Sequence, residues 1–136
     1  MRTLPLPTAL LTLSVLLLAG CHSKPPPPRL AITGTLNYDQ VVVTPGCTIE
    51  VRLNDVSRAD APAFTLALER ISPRESAPIP FTLHYDPLQV DPSHRYVVAA
   101  RITCGDALVL VTDTAFPVLT QGHPSTVAVT LVAAGK

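Results

Sequence analysis

The stretch that decides the fold is Ile49–Arg70, IEVRLNDVSRADAPAFTLALER. In its first part Ile49, Val51 and Leu53 alternate with Glu50, Arg52 and Asn54. A period of two places apolar side chains on one face and polar ones on the other, the signature of a half-buried strand. The second part, from Arg58 onward, imitates a helix in composition. Pro62 interrupts it, however, and beyond the proline Phe64, Leu66 and Leu68 alternate with Thr65 and Glu69, with small Ala67 between. Both halves therefore read as strands, joined by the polar segment Asn54–Pro62.

The same period recurs on either side. Leu30, Ile32, Gly34, Leu36 and Tyr38 share one phase, with Thr33, Thr35 and Asn37 in the other. Phe81, Leu83 and Tyr85 alternate with Thr82, His84 and Asp86. Further strands are expected over Tyr96–Ile102, Leu108–Val111, Ala115–Leu119 and around Val127, Val129 and Leu131. Turn chemistry separates them: Thr44-Pro45-Gly46, a tight hairpin at Cys104-Gly105-Asp106, and Gln121-Gly122-His123-Pro124. Asp86-Pro87 and Asp91-Pro92 bracket a loop, since proline cannot donate to a central ladder. There is no sustained 3.6-residue stripe and no internal repeat. Seven or eight short strands with close turns predict an all-β domain, an antiparallel β-sandwich or partly closed barrel, over residues 30–136.

Ahead of this domain stands LLTLSVLLLAGCHSKPPPPRL, Leu10–Leu30. Arg2 is followed by an apolar run from Ala9 to Ala19, the pattern of a secretory signal peptide. The run is shorter than the roughly 20 apolar residues of a membrane span. It ends in Leu18-Ala19-Gly20-Cys21, and small residues directly before a cysteine resemble a bacterial lipobox. That resemblance implies removal of residues 1–20, a diacylated sulfur on Cys21 of the palmitate type, and acylation of its new amine. Several acyl chains anchor a protein stably, each buried methylene contributing about 0.8 kcal/mol. His22, rather than Asp, follows the cysteine, which favours the outer membrane, with the domain facing the periplasm. Within the 21–29 linker, residues His22–Arg29 with their four prolines are expected to form a stiff spacer of about 25 Å, at about 3.1 Å per residue.

Removing residues 1–20 from the 136 leaves room for one small domain. Ten Lys and Arg balance ten Asp and Glu without a basic stripe, which argues against nucleic acid as a partner. There is no Trp and only three Phe and three Tyr, too few for a stacking platform, and no Gly-rich phosphate loop. With Cys21 assigned to lipid, Cys47 and Cys104 remain. In an oxidising compartment they are expected to bridge; the other outcome is two free thiols, because sequence does not bring their backbones within reach.

Three stretches carry a family resemblance: IEVRLNDVSRADAP (Ile49–Pro62), IPFTLHYDP (Ile79–Pro87) and RYVVAARITCGDALVLVTDTAFPVLTQGHP (Arg95–Pro124). In order and spacing the chain resembles the YbaY-like lipoproteins, grouped with YscW-type secretion chaperones and small β-sandwich pilotins. The resemblance implies an outer-membrane lipoprotein with an immunoglobulin-like or related sandwich. Along the pilotin branch it implies binding of a short secretin segment and its escort to the outer membrane. DVSRADAP lies closer to the YbaY branch.

No catalytic or metal-ligating set emerges, so an enzyme is not expected and no cofactor is implied. His84, His94 and His123 lack the spacing of a metal site and read as surface or turn-capping residues. Ser93-His94 is not a nucleophile elbow, and Asp86, Asp91 and Asp113 read as turn or strand-edge aspartates. In the Asn54–Pro62 segment, Asp55, Arg58 and Asp60 have two readings. One is a capped loop, with Asp and Ser satisfying turn amides and Arg58 paired to a carboxylate. The other is a loop contacting a partner at one end of the sandwich. Two functions follow: an envelope binding or chaperone module with a secretin-like or other protein segment as partner, or an inhibitor of a periplasmic hydrolase such as lysozyme. A segment can add to a strand edge, or an amphipathic helix can lie in a groove between the sheets.

Overall fold

The computed structural model describes residues 24–26, 28–39, 44–72 and 76–135. Among the described residues the fold is a β-sandwich of nine strands in two sheets: β1 Leu30–Asn37, β2 Cys47–Asp55, β3 Phe64–Ile71, β4 Ile79–Tyr85, β5 Tyr96–Cys104, β6 Ala107–Val111, β7 Phe116–Val118, β8 Thr126–Thr130 and β9 Val132–Ala133. One 3-10 turn, Pro87–Gln89, lies between β4 and β5. Among the described residues no helix is long and apolar enough to cross a membrane.

The smaller sheet has the order β4-β1-β8 and the larger β3-β2-β5-β6-β9, with β7 also paired to β5. The alternation read from the sequence becomes the core. Ile32 and Leu36 of β1, Phe81 and Leu83 of β4 and Val129 of β8 face Ile49, Val51 and Leu53 of β2 and Val98 and Ile102 of β5. Tyr96, also buried, starts β5, and its hydroxyl accepts the Asp91 amide at 2.9 Å, so the ring is buried without an orphaned oxygen. The Cys104 hairpin has Gly105 at φ +60° in the first central position, as a tight turn that follows the strand twist requires.

Three features depart from the sequence expectation. First, β1 and β8 pair in parallel, Gly34 opposite Val127 and Leu36 opposite Val129. The chain crosses from β7 in the larger sheet to β8 in the smaller one, so no hairpin fixes its direction. Second, β9 is an additional two-residue strand completing the edge beside β6. Third, the apolar phase of β3 is reversed. Leu53 pairs with Ala67 and Arg52 with Leu68, so Ala67 is buried while Leu68 lies on the outer face, 39% exposed. A register shift between Leu53 and Asn54 then carries Phe64 to the strand's end, 68% exposed. The partner strand, already committed by Ile49, Val51 and Leu53, sets the parity; β3 is an edge strand and follows it.

Gly34 shows how tightly the smaller sheet is packed. It sits inward on β1, directly opposite Phe81, whose ring covers it. A Cβ there would overlap the Val127 carbonyl oxygen and come within 2.7 Å of the Phe81 ring. Gly34→Val is therefore expected to lower the urea midpoint by the equivalent of about 2 kcal/mol or more, as overpacking does.

Candidate functional site

At one end of the sandwich Asp55 stands at the end of β2, where its carboxylate joins two loops. Its Oδ1 accepts the Ser57 amide at 2.9 Å, and its Oδ2 lies 2.6 Å from His94 Nδ1 in the β4–β5 loop. The Ser57 hydroxyl accepts the Arg95 amide at 2.8 Å, and the Thr120 hydroxyl donates to the His94 carbonyl at 2.6 Å. Burial pushes the Asp55 carboxyl up, but the hydrogen bonds from Ser57 and His94 outweigh it and hold it below the usual carboxylate range. Asp91 is held low by Ser93, which donates to it through both amide and hydroxyl. Asp86 caps the 3-10 turn by accepting the Leu88 amide. These carboxylates organise loops, and His94 is one of their partners.

The three residues singled out in the Asn54–Pro62 segment are thus separated. Asp55 turns inward to Ser57 and His94, while Arg58 and Asp60 are exposed at the loop tip. The expected pairing of Arg58 with a carboxylate does not occur among the described residues. Asp55, the acidic residue before Arg58 in the segment, is already engaged by Ser57 and His94. Cys47 and Cys104 are direct cross-strand partners at the ends of β2 and β5, with their Sγ atoms at bonding distance. Cys21 and the 1–20 segment lie outside the described residues.

Two further features were not read from the sequence. One is the seam where edge strands β3 and β4 pack side by side without pairing. It holds a cleft of about 360 Å³ lined by Glu69 and Ile71 of β3 and Pro80, Phe81, Thr82 and His84 of β4. Pro80 fits a strand only where its nitrogen points away from the ladder. By the alternation of antiparallel pairing, main-chain groups of Thr82 and His84 point the same way, along the open edge. That proline inside IPFTLHYDP was the available signal for an edge strand.

The other is Glu50, on the outer face of the larger sheet yet only 8% exposed. Cross-strand register sets it between Arg70 on β3 and Arg101 on β5, and Arg52 lies two residues along its own strand. Glu50 Oε1 accepts Arg70 Nε at 3.1 Å; Oε2 accepts Arg52 at 2.8 Å and Arg101 Nε at 2.7 Å. The Arg52 hydrogen bond foremost, then those of Arg101 and Arg70, override burial and lower the Glu50 carboxyl to about 2. The polar phase Glu50-Val51-Arg52 was visible in the sequence, but Arg70 and Arg101 join it only through strand register.

Among the described residues, no three His, Cys, Asp or Glu side chains converge as a metal site requires. The polar chemistry is that of loop geometry and surface charge, set beside an open strand edge. These features belong to a small β-sandwich binding domain. The chain belongs to the family described as the type III secretion system lipoprotein chaperone, YscW, which it matches over residues 27–131. It is 38% identical over 93 residues to the uncharacterized lipoprotein YbaY of Escherichia coli K12, covering 67% of this chain and 49% of YbaY. The chain thus spans about half the length of that curated relative. The structure is similar to that of an alternative pilotin from the type II secretion system of Vibrio cholerae. The two share 33% identity at a TM-score of 0.74, over 80% of this chain and 100% of that one.

Two outcomes follow from this geometry. A carboxyl lowered from 4.5 to about 2 contributes stability that is fully present above pH 4.5 and is lost as pH falls through 2. Denaturant titrations of the wild type should show that acid loss. Glu50→Gln should be less stable at pH 7 and converge with the wild type at the acid end, where the native carboxyl is itself protonated. For the cysteines, alkylation of denatured, unreduced protein should leave Cys47 and Cys104 unlabelled by mass. Cys104→Ala should cost up to about 4 kcal/mol for a closed loop of 57 residues in the chain-entropy account.

Proposed function

We propose that the chain is a lipid-anchored chaperone of the bacterial envelope that holds a short extended segment of another envelope protein, a secretin-like subunit in the first instance. The observation that carries this reading is the match to the whole length of an alternative pilotin, at 33% identity and a TM-score of 0.74. The YscW chaperone family points to the same role. Both support it over hydrolase inhibition, since one names a chaperone and the other a pilotin.

The β3–β4 seam supplies a plausible mode. An extended segment can add main-chain hydrogen bonds along the open edge of β4, and the cleft beside Ile71 and Phe81 can take an apolar side chain. The exposed loop tip with Arg58 and Asp60 is a second contact region in this reading, at the end of the sandwich. The anchor is a lipidated Cys21 exposed by removal of residues 1–20, followed by the proline spacer, in the outer membrane facing the periplasm. A Cys47–Cys104 bridge would lock the two central strands of the larger sheet in this oxidising compartment.

Deletion of the gene in a strain that encodes a secretin should reduce secretin multimers in the outer membrane. A photocrosslinker at Thr82 should capture the bound subunit in intact cells. Cys21→Ser should release the protein from the membrane pellet and reproduce the deletion. Unchanged multimers together with no envelope protein captured at Thr82 would remove the chaperone reading.

A further inference from the structure

The Glu50 cluster holds more positive charge than its structural task requires. A buried carboxylate needs compensation, and one well-placed guanidinium with good hydrogen bonds supplies it. Here three arginines share one carboxylate, and both Glu50 oxygens are already engaged. The row therefore carries a local surplus of two positive charges on a chain whose total charge is zero. The opposite face of the sandwich offers a contrast, for the outer side of β4-β1-β8 carries Thr33, Thr35, Thr82, Thr126 and Thr130 beside Pro80 and His84, with no Asp, Glu, Lys or Arg in its three strands.

The surface around the row is hollow rather than convex. β6 ends at Val111 and β7 resumes the pairing with β5 only at Phe116, so the ladder is interrupted beside Ala99 and Ala100. The hollow measures about 260 Å³ and is lined by Glu50, Arg52, Arg101, Ala99, Val111 and Thr112. Arg52 Nε is buried there without a hydrogen-bond partner among the described residues, and an orphaned guanidinium nitrogen leaves a polar group unsatisfied. Exposed Leu68 borders Arg52 on the β3 side, as its cross-strand neighbour.

We infer that the outer face of the larger sheet is a docking site for an acidic, extended segment of a protein partner, gripped by Arg52, Arg70 and Arg101. Charge complementarity selects the occupant, since a segment bearing two carboxylates would neutralise the surplus. Arg70 and Arg101 stand on strands two spacings apart, about 10 Å, a distance an extended chain covers in about three residues. The segment that fits carries Asp or Glu three positions apart in the extended polyproline II form, whose three residues per turn bring both carboxylates to one face about 9 Å apart, with a small apolar residue between them to meet Ala99 and Val111. Glu50 positions the guanidiniums and excludes carboxylates from the middle of the row. This inference rests on the reading of the chain as a partner-binding module and adds the chemistry of one partner segment.

The test uses the full-length chain in detergent and fluorescein-labelled peptides followed by anisotropy. One peptide carries Asp at every third position among Val, Ser and Ala; two controls replace Asp by Asn or by Lys. The Asp peptide should bind about tenfold or more tighter than either control, and high salt should weaken it. The double variant Arg70→Gln, Arg101→Gln should abolish that preference. Both side chains are well exposed, 63% and 46%, so the fold should tolerate the change; far-UV circular dichroism checks it, and Arg70→Gln alone serves if the pair misfolds. Equal affinity for the three peptides, or an unchanged preference in the variants, overturns the inference. So does Arg-dependent binding to phosphatidylglycerol vesicles without any peptide preference, which would assign the row to lipid headgroups. Loss of secretin multimers on deletion, with no peptide preference here, would sink this inference and leave the chaperone reading standing.

Discussion

The pairing of β2 with β5 is the constraint on which the rest of the molecule depends. Nine residue pairs run in unbroken antiparallel register from Cys47 opposite Cys104 to Asp55 opposite Tyr96. Because a strand alternates with period two, this register fixes which face every neighbouring side chain takes. It turns Ile49, Val51 and Leu53 inward together with Val98, Ala100 and Ile102, all buried. The same parity turns Glu50 and Arg101 outward as partners and lays the foundation of the charged row. At one end of the ladder it juxtaposes the two cysteines; at the other it holds Asp55 where it can join two loops. A one-residue slip would invert all of these together, which is why the register is strongly specified by burial alone.

From that ladder the two sheets acquire different characters. The larger sheet extends on both sides of β2 and β5, and its outer face carries the arginines. The smaller sheet closes over the core with Phe81 lying on Gly34, and its outer face is uncharged. Their meeting at β3 and β4 leaves two edge strands packed but unpaired, and Pro80 blunts one of them. Proline and charge on an edge are devices by which sandwiches avoid indiscriminate edge-to-edge association. An edge restrained in this way can still accept a segment that brings its own side-chain fit to the adjoining cleft.

The sequence was legible wherever a residue's own alternation determined its environment. β1, β2, β4 and β5 follow their hydrophobic phase, in edge strand β4 as in the central strands, and the Gly105 hairpin follows its turn chemistry, because these are local rules. β3 was read as a strand, but with the wrong face: Phe64 and Leu68 are apolar, and an edge strand takes its parity from its partner rather than from its own composition. The parallel β1–β8 pair escaped for a related reason, since strand direction across a sheet-to-sheet crossover is a tertiary outcome. The Glu50 row needed three strands in register before its members met; in the chain they are spread over positions 50, 52, 70 and 101. Asp55 and His94 are likewise 39 residues apart in sequence and 2.6 Å apart in space.

What unites the proposed surfaces is that each is shallow. The seam and the charged hollow are open clefts of about 360 and 260 Å³, near or below the low end of the roughly 300–1,000 Å³ of pockets that enclose most of a small ligand. Shallow sites of this kind give modest affinity, because association must first offset lost translational and side-chain freedom. A lipid anchor at Cys21 with a stiff spacer would change that balance. It would confine the domain to one membrane surface and raise its effective concentration toward segments displayed there. In that arrangement the anchor would supply the proximity, and the domain would need only enough affinity to recognise the segment.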